Sequence, residues 1–152
     1  MTDIEANRLI VEKLPGRTRD LFGRFAIGDE TASRDAGVDA VLSGVKTATS
    51  SLPSDFCGVR LPFVGALSVL EDGCGRGRVI VETTEVALTA FGDVSASFVG
   101  AYGEGDGTHE WFREHIGDWY RKRDETFGDG TIIVCEHFKV AAVLNLPESS
   151  GD

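Results

Sequence analysis

Lys46 stands alone among hydroxyl side chains in the stretch Gly44-Val45-Lys46-Thr47-Ala48-Thr49-Ser50-Ser51. An amine flanked by alcohols can do two kinds of chemistry. When neutral, it takes a proton from a hydroxyl that attacks a substrate; when charged, it clamps a phosphate or the oxyanion that develops at a carbonyl. A lysine just past a helix end also interacts favourably with the helix dipole and needs no ligand, and Thr47, Thr49, Ser50 and Ser51 alone are ordinary strand and turn residues. Glu104 is the second candidate. It lies in Tyr102-Gly103-Glu104-Gly105-Asp106-Gly107, where glycines let the backbone turn tightly. An acidic loop ahead of a helix N-terminus is the alternative reading there, and for Asp106 a capping role is expected.

Metal chemistry is not expected. His109, His115 and His137 do not pair at the three- or four-residue spacing that puts two ligands on one helix face, and Cys57, Cys74 and Cys135 show no ligand spacing. No cofactor motif stands out. Trp111, His115 and Trp119 recur every four residues, a spacing that reads first as a helix face packed on the core and only second as a platform for a base. Arg121-Lys122-Arg123 is the one compact basic run, and a solvated helix end is its default reading.

The elements that must position these groups follow from pattern. Residues 1–16 read as an amphipathic helix rather than a signal peptide. Asp29 or Thr31 can cap a second helix that runs to Ser43, with Ala36, Ala40 and Val41 on one side and Gly44 at its C-terminal stop. From Thr47 the vocabulary turns to strand: Ala66–Gly73, a Gly-rich turn, then a strong alternating run from Arg78 to Leu88. Asp93 can cap a short helix through Phe98, and Thr108 a longer one. A last strand pair is expected, one strand over 131–140 and its mate over 141–146. Antiparallel strands interrupted by helices predict an α+β fold with a small barrel or strongly curved sheet.

In this order, the segments around Gly44–Ser51, Val79–Val86, Ala101–His115 and Ile132–Phe138 resemble the bacterial ASCH domain family, a branch of the PUA-like β-barrels. The Gly-x-Lys-Thr-x-Thr element at Gly44–Thr49, the Gly-Glu-Gly-Asp element at Gly103–Asp106, and Trp111 with His115 carry the resemblance, which covers roughly residues 28–143. It implies a small curved antiparallel β-barrel flanked by helices over residues 28–146, preceded by a helical extension over 1–27 and followed by a disordered tail over 147–152. Two positions depart from the family pattern. Gly65-Ala66 stands where Gly-Asp is usual, and His137 stands where a basic residue follows Cys-Glu.

The resemblance also implies a cleft for RNA or nucleoside-like ligands. One branch of the family resembles an amidohydrolase that deacetylates N-acetylated cytidine with a Lys, a Thr and a Glu. These map onto Lys46, Thr49 and Glu104 as the expected catalytic group, with Thr47, Ser50, Asp106 and Arg113 as expected ligand contacts. Thr49 would attack the acyl carbon, Lys46 would accept its proton, and Glu104 would orient the lysine or shuttle the proton. Another branch resembles a ribonuclease acting on single-stranded RNA, and a non-catalytic RNA or nucleotide module is the third reading.

Size and charge bound these readings. A chain of 152 residues is long enough to bury a real core, and 41% hydrophobic with 26% charged residues is ordinary for a globular domain. The longest apolar run is too short to span a bilayer, so no membrane association is expected. The formal net charge of −10 disfavours generic binding to long nucleic acid, whose affinity rests on Lys and Arg displacing counterions. A nucleoside-like small molecule or a short single-stranded RNA is the expected partner, and nothing points to a protein partner. Three widely spaced cysteines read as free thiols in a reducing cytoplasm.

Overall fold

The computed structural model describes residues 1–144, so the tail expected at 147–152 lies outside the described residues. In chain order the elements are α1 (Asp3–Lys13), β1 (Leu21–Phe25), α2 (Thr31–Leu42), β2 (Ala48–Ser51), β3 (Leu67–Glu71), β4 (Gly77–Ala90), α3 (Ala96–Tyr102), α4 (His109–Trp111), α5 (Gly117–Arg121) and β5 (Ile132–Val143). A π-helical segment, Phe112–Ile116, joins α4 to α5. The strands form a mixed, open sheet in the order β1-β3-β4-β5-β2. The expected α+β fold is met. Its sheet is not wholly antiparallel, because β1 runs parallel to β3 while β3/β4 and β2/β5 are antiparallel. A parallel pair needs a long crossover, here the chain through α2 and β2.

The chain divides into two compact units, and β4 and β5 contribute residues to both. Among the described residues the first comprises Met1–Ser43, Gly65–Glu82 and Lys139–Leu144. Thr2 begins α1 with a reciprocal cap: its hydroxyl accepts from the Glu5 N–H at 3.1 Å, and the Glu5 carboxylate accepts from the Thr2 N–H at 2.8 Å. Ala6 and Ile10, one turn apart, are then fully buried against Leu67, Val69, Ile80 and Leu144. Every residue of β3 is buried, so this strand is covered on both faces. β1, Leu21-Phe22-Gly23-Arg24-Phe25, has no counterpart among the expected strands. The N-cap of α2 is Glu30 rather than Asp29 or Thr31; the Ser33 hydroxyl accepts from the Glu30 N–H at 3.2 Å. Its buried residues are Gly37, Val38 and Val41, so of the expected Ala36, Ala40 and Val41 the face keeps Val41 and turns toward Gly37 and Val38.

The second unit comprises Gly44–Val64 and Thr83–Phe138. Its core is aromatic. Phe112 stacks on Phe91 at 5.4 Å and meets Tyr102 edge-on at 5.1 Å, with Phe98, Tyr120 and Phe127 closing the cluster around Ala48 and Ile133. Trp111 and Trp119 pack against this cluster half-buried, as their helical spacing implies. Ser95, not Asp93, caps α3: its hydroxyl accepts from the Phe98 N–H at 3.1 Å, and Asp93 belongs to the preceding 3-10 turn. Thr108 caps α4 as expected, accepting from the Trp111 N–H at 3.1 Å. Over the described residues the expected last strand pair is one continuous strand, β5, because no turn residue separates Val140 from Ala141; residues 145–146 of the expected second strand lie outside the described residues.

Candidate functional site

The helix that precedes Lys46 ends at Leu42, and Gly44 takes a left-handed φ of +81° that turns the chain away. Regular strand begins only at Ala48, so Lys46 sits in the connection between α2 and β2. The backbone there is held from two sides: the Thr47 N–H donates to Ala101 O at 2.8 Å, and Thr47 O accepts from the Phe138 N–H at 3.0 Å. Between these anchors the Lys46 side chain turns inward and is wholly removed from solvent. Its ammonium donates to Tyr102 O at 2.9 Å and to Glu104 Oε2 at 2.7 Å, and stands 3.5 Å from the centre of the Tyr102 ring.

Two influences on the Lys46 proton oppose each other. Burial disfavours the ammonium and the Glu104 carboxylate favours it; burial wins, and the pKa falls to about 8. The Glu104 side chain is 32% exposed, so the pair reaches solvent through its carboxylate rather than through the amine. Gly103 makes the approach possible. Its φ is +67°, and a Cβ at that position would stand 2.2 Å from Val45 O, so only glycine lets the loop after α3 close onto the Lys46 backbone.

Thr49 is the second residue of β2. It is paired with Glu136 across the β2/β5 register, which puts both side chains on one face, opposite to Ala48 and its aromatic core. On that face the Thr83 hydroxyl donates to Glu136 Oε2 at 3.1 Å, and burial raises the Glu136 carboxyl above its ordinary range. The structure therefore brings Lys46 and Glu104 into contact and sets Thr49 beside Glu136. Glu136 was not among the expected site residues. Its one sequence signal is a carboxylate that, with His137 beside it, interrupts the apolar run from Ile132 to Phe138.

The other expected ligand contacts have partners within the chain. Ser50 shares a hydrogen bond of 2.7 Å with the Tyr120 hydroxyl, facing the aromatic core. Thr47 is exposed, with its hydroxyl 3.5 Å from Ala101 O. Asp106 accepts from the Thr108 hydroxyl at 2.6 Å and from its N–H at 2.9 Å, which lowers the carboxyl pKa and makes Asp106 a brace for the α4 cap. Arg113 pairs with Asp129 at 2.6 Å on the surface. Of the basic run, Arg121 pairs with Asp118 and Arg123 with Asp55. Among the described residues, no group of three or more His, Cys, Asp and Glu side chains is arranged to hold a metal ion. No helix among them is long and apolar enough to cross a membrane.

Residues 23–142 match the ASCH domain model. The chain belongs to the ASCH domain family. It is similar to the crystal structure of an ASCH domain from Lactobacillus crispatus JV V101, at 26% identity and a TM-score of 0.77, over 90% of this chain and 94% of that one. It is also similar in fold to a protein of Enterococcus faecalis V583, at 20% identity and a TM-score of 0.78, over 96% of this chain and 99% of that one. No curated protein matches the sequence.

In this ASCH domain the two departures from the family pattern have local explanations. Ala66, where the pattern has Asp, is fully buried, and the preceding Gly65 carbonyl accepts from Arg17 at 3.1 Å. A carboxylate in place of the Ala66 methyl would have to be desolvated, whereas the methyl costs nothing to bury. His137, where the pattern has a basic side chain, turns its ring edge-on to Phe98 at 5.6 Å and so joins the aromatic packing of the second unit.

Proposed function

We propose that this ASCH domain is a metal-independent amidohydrolase that removes the acyl group from an N-acylated nucleoside, with N-acetylated cytidine as the representative substrate. The observation that carries the reading is Lys46, a buried amine whose pKa is about 8 beside a carboxylate that reaches solvent. A proton acceptor is most effective when its pKa lies near the working pH. With a pKa of about 8, about a tenth of the molecules hold Lys46 neutral at pH 7.

The proposed reaction has two halves. In the first, the Thr49 oxygen bonds to the acyl carbon, and the hydroxyl proton passes through Glu104 to the neutral Lys46 amine. The carbon–nitrogen bond then breaks, and the Lys46 proton returns by the same route to the departing nucleoside amine. In the second, water attacks the Thr49 ester and gives up a proton to Lys46 along that path, and the proton returns to the Thr49 oxygen as the ester carbon–oxygen bond breaks, releasing the carboxylic acid with the threonine and the neutral amine restored. The free thiols of Cys57 and Cys74 on the surface fit a reducing cytoplasm as the place for this activity.

The test is incubation of the protein with a panel of N-acylated nucleosides and with labelled single-stranded RNA. Release of cytidine and acetate from the acetylated nucleoside supports the reading. An intact nucleoside panel with bound or shortened RNA would move the assignment to an RNA-binding module or a ribonuclease.

A further inference from the structure

We infer that the stacked pair Trp111 and His115 is the positioning device that holds the Glu104 loop against Lys46. The argument starts at Gly105, the residue after Glu104. Its φ is +63°, and a Cβ there would lie 2.1 Å from two indole carbons of Trp111 and 2.5 Å from the indole nitrogen, so the loop backbone rests directly on the ring. The His115 ring stacks on the same indole, with centroids 4.8 Å apart and planes inclined by 14°. His115 Nδ1 lies 3.1 Å from Trp111 O and donates to it within the π-helical segment Phe112–Ile116. Such π segments are rare in helices and concentrate at functional positions.

The Trp111 backbone is fixed from its N-terminal side as well. Thr108 accepts from the Trp111 N–H, and Asp106 in turn accepts from Thr108. The loop is thus clamped at both ends of Glu104, by Trp111 under Gly105 and by the Val45 carbonyl under Gly103. A carboxylate on a short glycine-rich loop has many alternative positions, and the clamp leaves the one that meets the ammonium at 2.7 Å. The groups that face Lys46 are Tyr102 from α3, through its carbonyl and ring, and Glu104 from the loop. Release of the loop takes the carboxylate that favours the ammonium away from the amine. The inference deepens the proposed site, because it names what sets the proton affinity of its base, but its readout requires no substrate.

The experiment is an NMR titration of the Lys46 amine in the intact protein, with Lys46→Met assigning the signal. Glu104→Gln sets the scale and is expected to lower the Lys46 midpoint by about one pH unit. Gly105→Ala forces a methyl onto the Trp111 ring and is expected to lower the midpoint by a comparable amount. Gly107→Ala is the matched control: its φ is +77°, but its Cβ would meet open space, so the midpoint is expected to stay at the parent value. A Gly105→Ala midpoint equal to the parent's, or a Gly107→Ala shift as large as that of Gly105→Ala, overturns the inference. Should Gly105→Ala fail to fold, Trp111→Leu carries the same expectation, and an unchanged midpoint there overturns it equally. Absence of turnover in the parent protein would count against the amidohydrolase reading alone and would leave this titration readable.

Discussion

The Lys46 ammonium and the Glu104 carboxylate lie 2.7 Å apart, the lysine side chain sealed from solvent and the glutamate 32% exposed. A charge buried to this degree is poorly explained by stability, because the cost of desolvating an ion offsets much of its attraction to a partner. The proposed reactive role fits the arrangement: burial lowers the proton affinity of the amine, and the carboxylate keeps the fall within reach of neutral pH.

Lys46→Met should separate function from folding. Turnover of an N-acylated nucleoside is expected to fall by about a hundredfold or more, the usual contribution of an acid–base group. The denaturant midpoint is expected to hold or rise, since an apolar chain of similar length replaces a buried charge. Parallel assays and denaturant melts check this, and a variant that keeps full activity contradicts the proposed base.

The same residue makes stability depend on pH with a definite sign. Lys46 has a pKa of about 8 in the folded chain against an ordinary 10.5. Below pH 8 the group is charged in both states, and folding bears the whole desolvation cost. Between about 8 and 10.5 the unfolded chain holds the extra proton, so stability rises with pH across that window. Because tyrosines titrate in the same range, the quantity to measure is parent minus Lys46→Met, which should increase from pH 8 to 10.5. A flat difference would place the Lys46 pKa at its ordinary value.

How much of this was legible in the sequence differs between elements for physical reasons. Lys46 and Glu104 stood out because a lone amine among alcohols and a carboxylate among glycines are locally unusual, and their contact follows from the left-handed Gly103. Thr108 was readable as a cap because the signal lies within one turn. β1 was not readable: Gly23 and Arg24 interrupt its apolar pattern, and its partner, β3, lies beyond α2 and β2 in the chain. The relation of Thr49 to Glu136 depends on the β2/β5 register, which no spacing within either strand reveals.

Thr49→Val keeps β-branching, and with it the strand β2, while deleting the hydroxyl. Turnover should be abolished and the affinity for a nucleoside ligand should stay within about tenfold, or about 1.4 kcal/mol. Single-turnover kinetics with a separate binding measurement distinguish the two effects. Parent-like turnover would remove Thr49 as the nucleophile.

Chelation and salt test the chemistry from another side. Activity is expected to survive prolonged treatment with a strong chelator and to change little with ionic strength, as suits a neutral nucleoside rather than a phosphate backbone. A steep loss of binding with added salt would favour RNA as the ligand.

The pH dependence of kcat/KM for N-acetylated cytidine addresses the central claim most directly, because it reports the protonation of the essential base in the free protein. The account predicts a rate that rises with pH and levels off with a midpoint of about 8 in the parent, where burial and Glu104 balance on Lys46. In Glu104→Gln the residual activity should rise with a lower midpoint, since the carboxylate that raises the Lys46 pKa is gone. A parent profile that is flat, or that falls as pH increases through 8, would contradict Lys46 as the base.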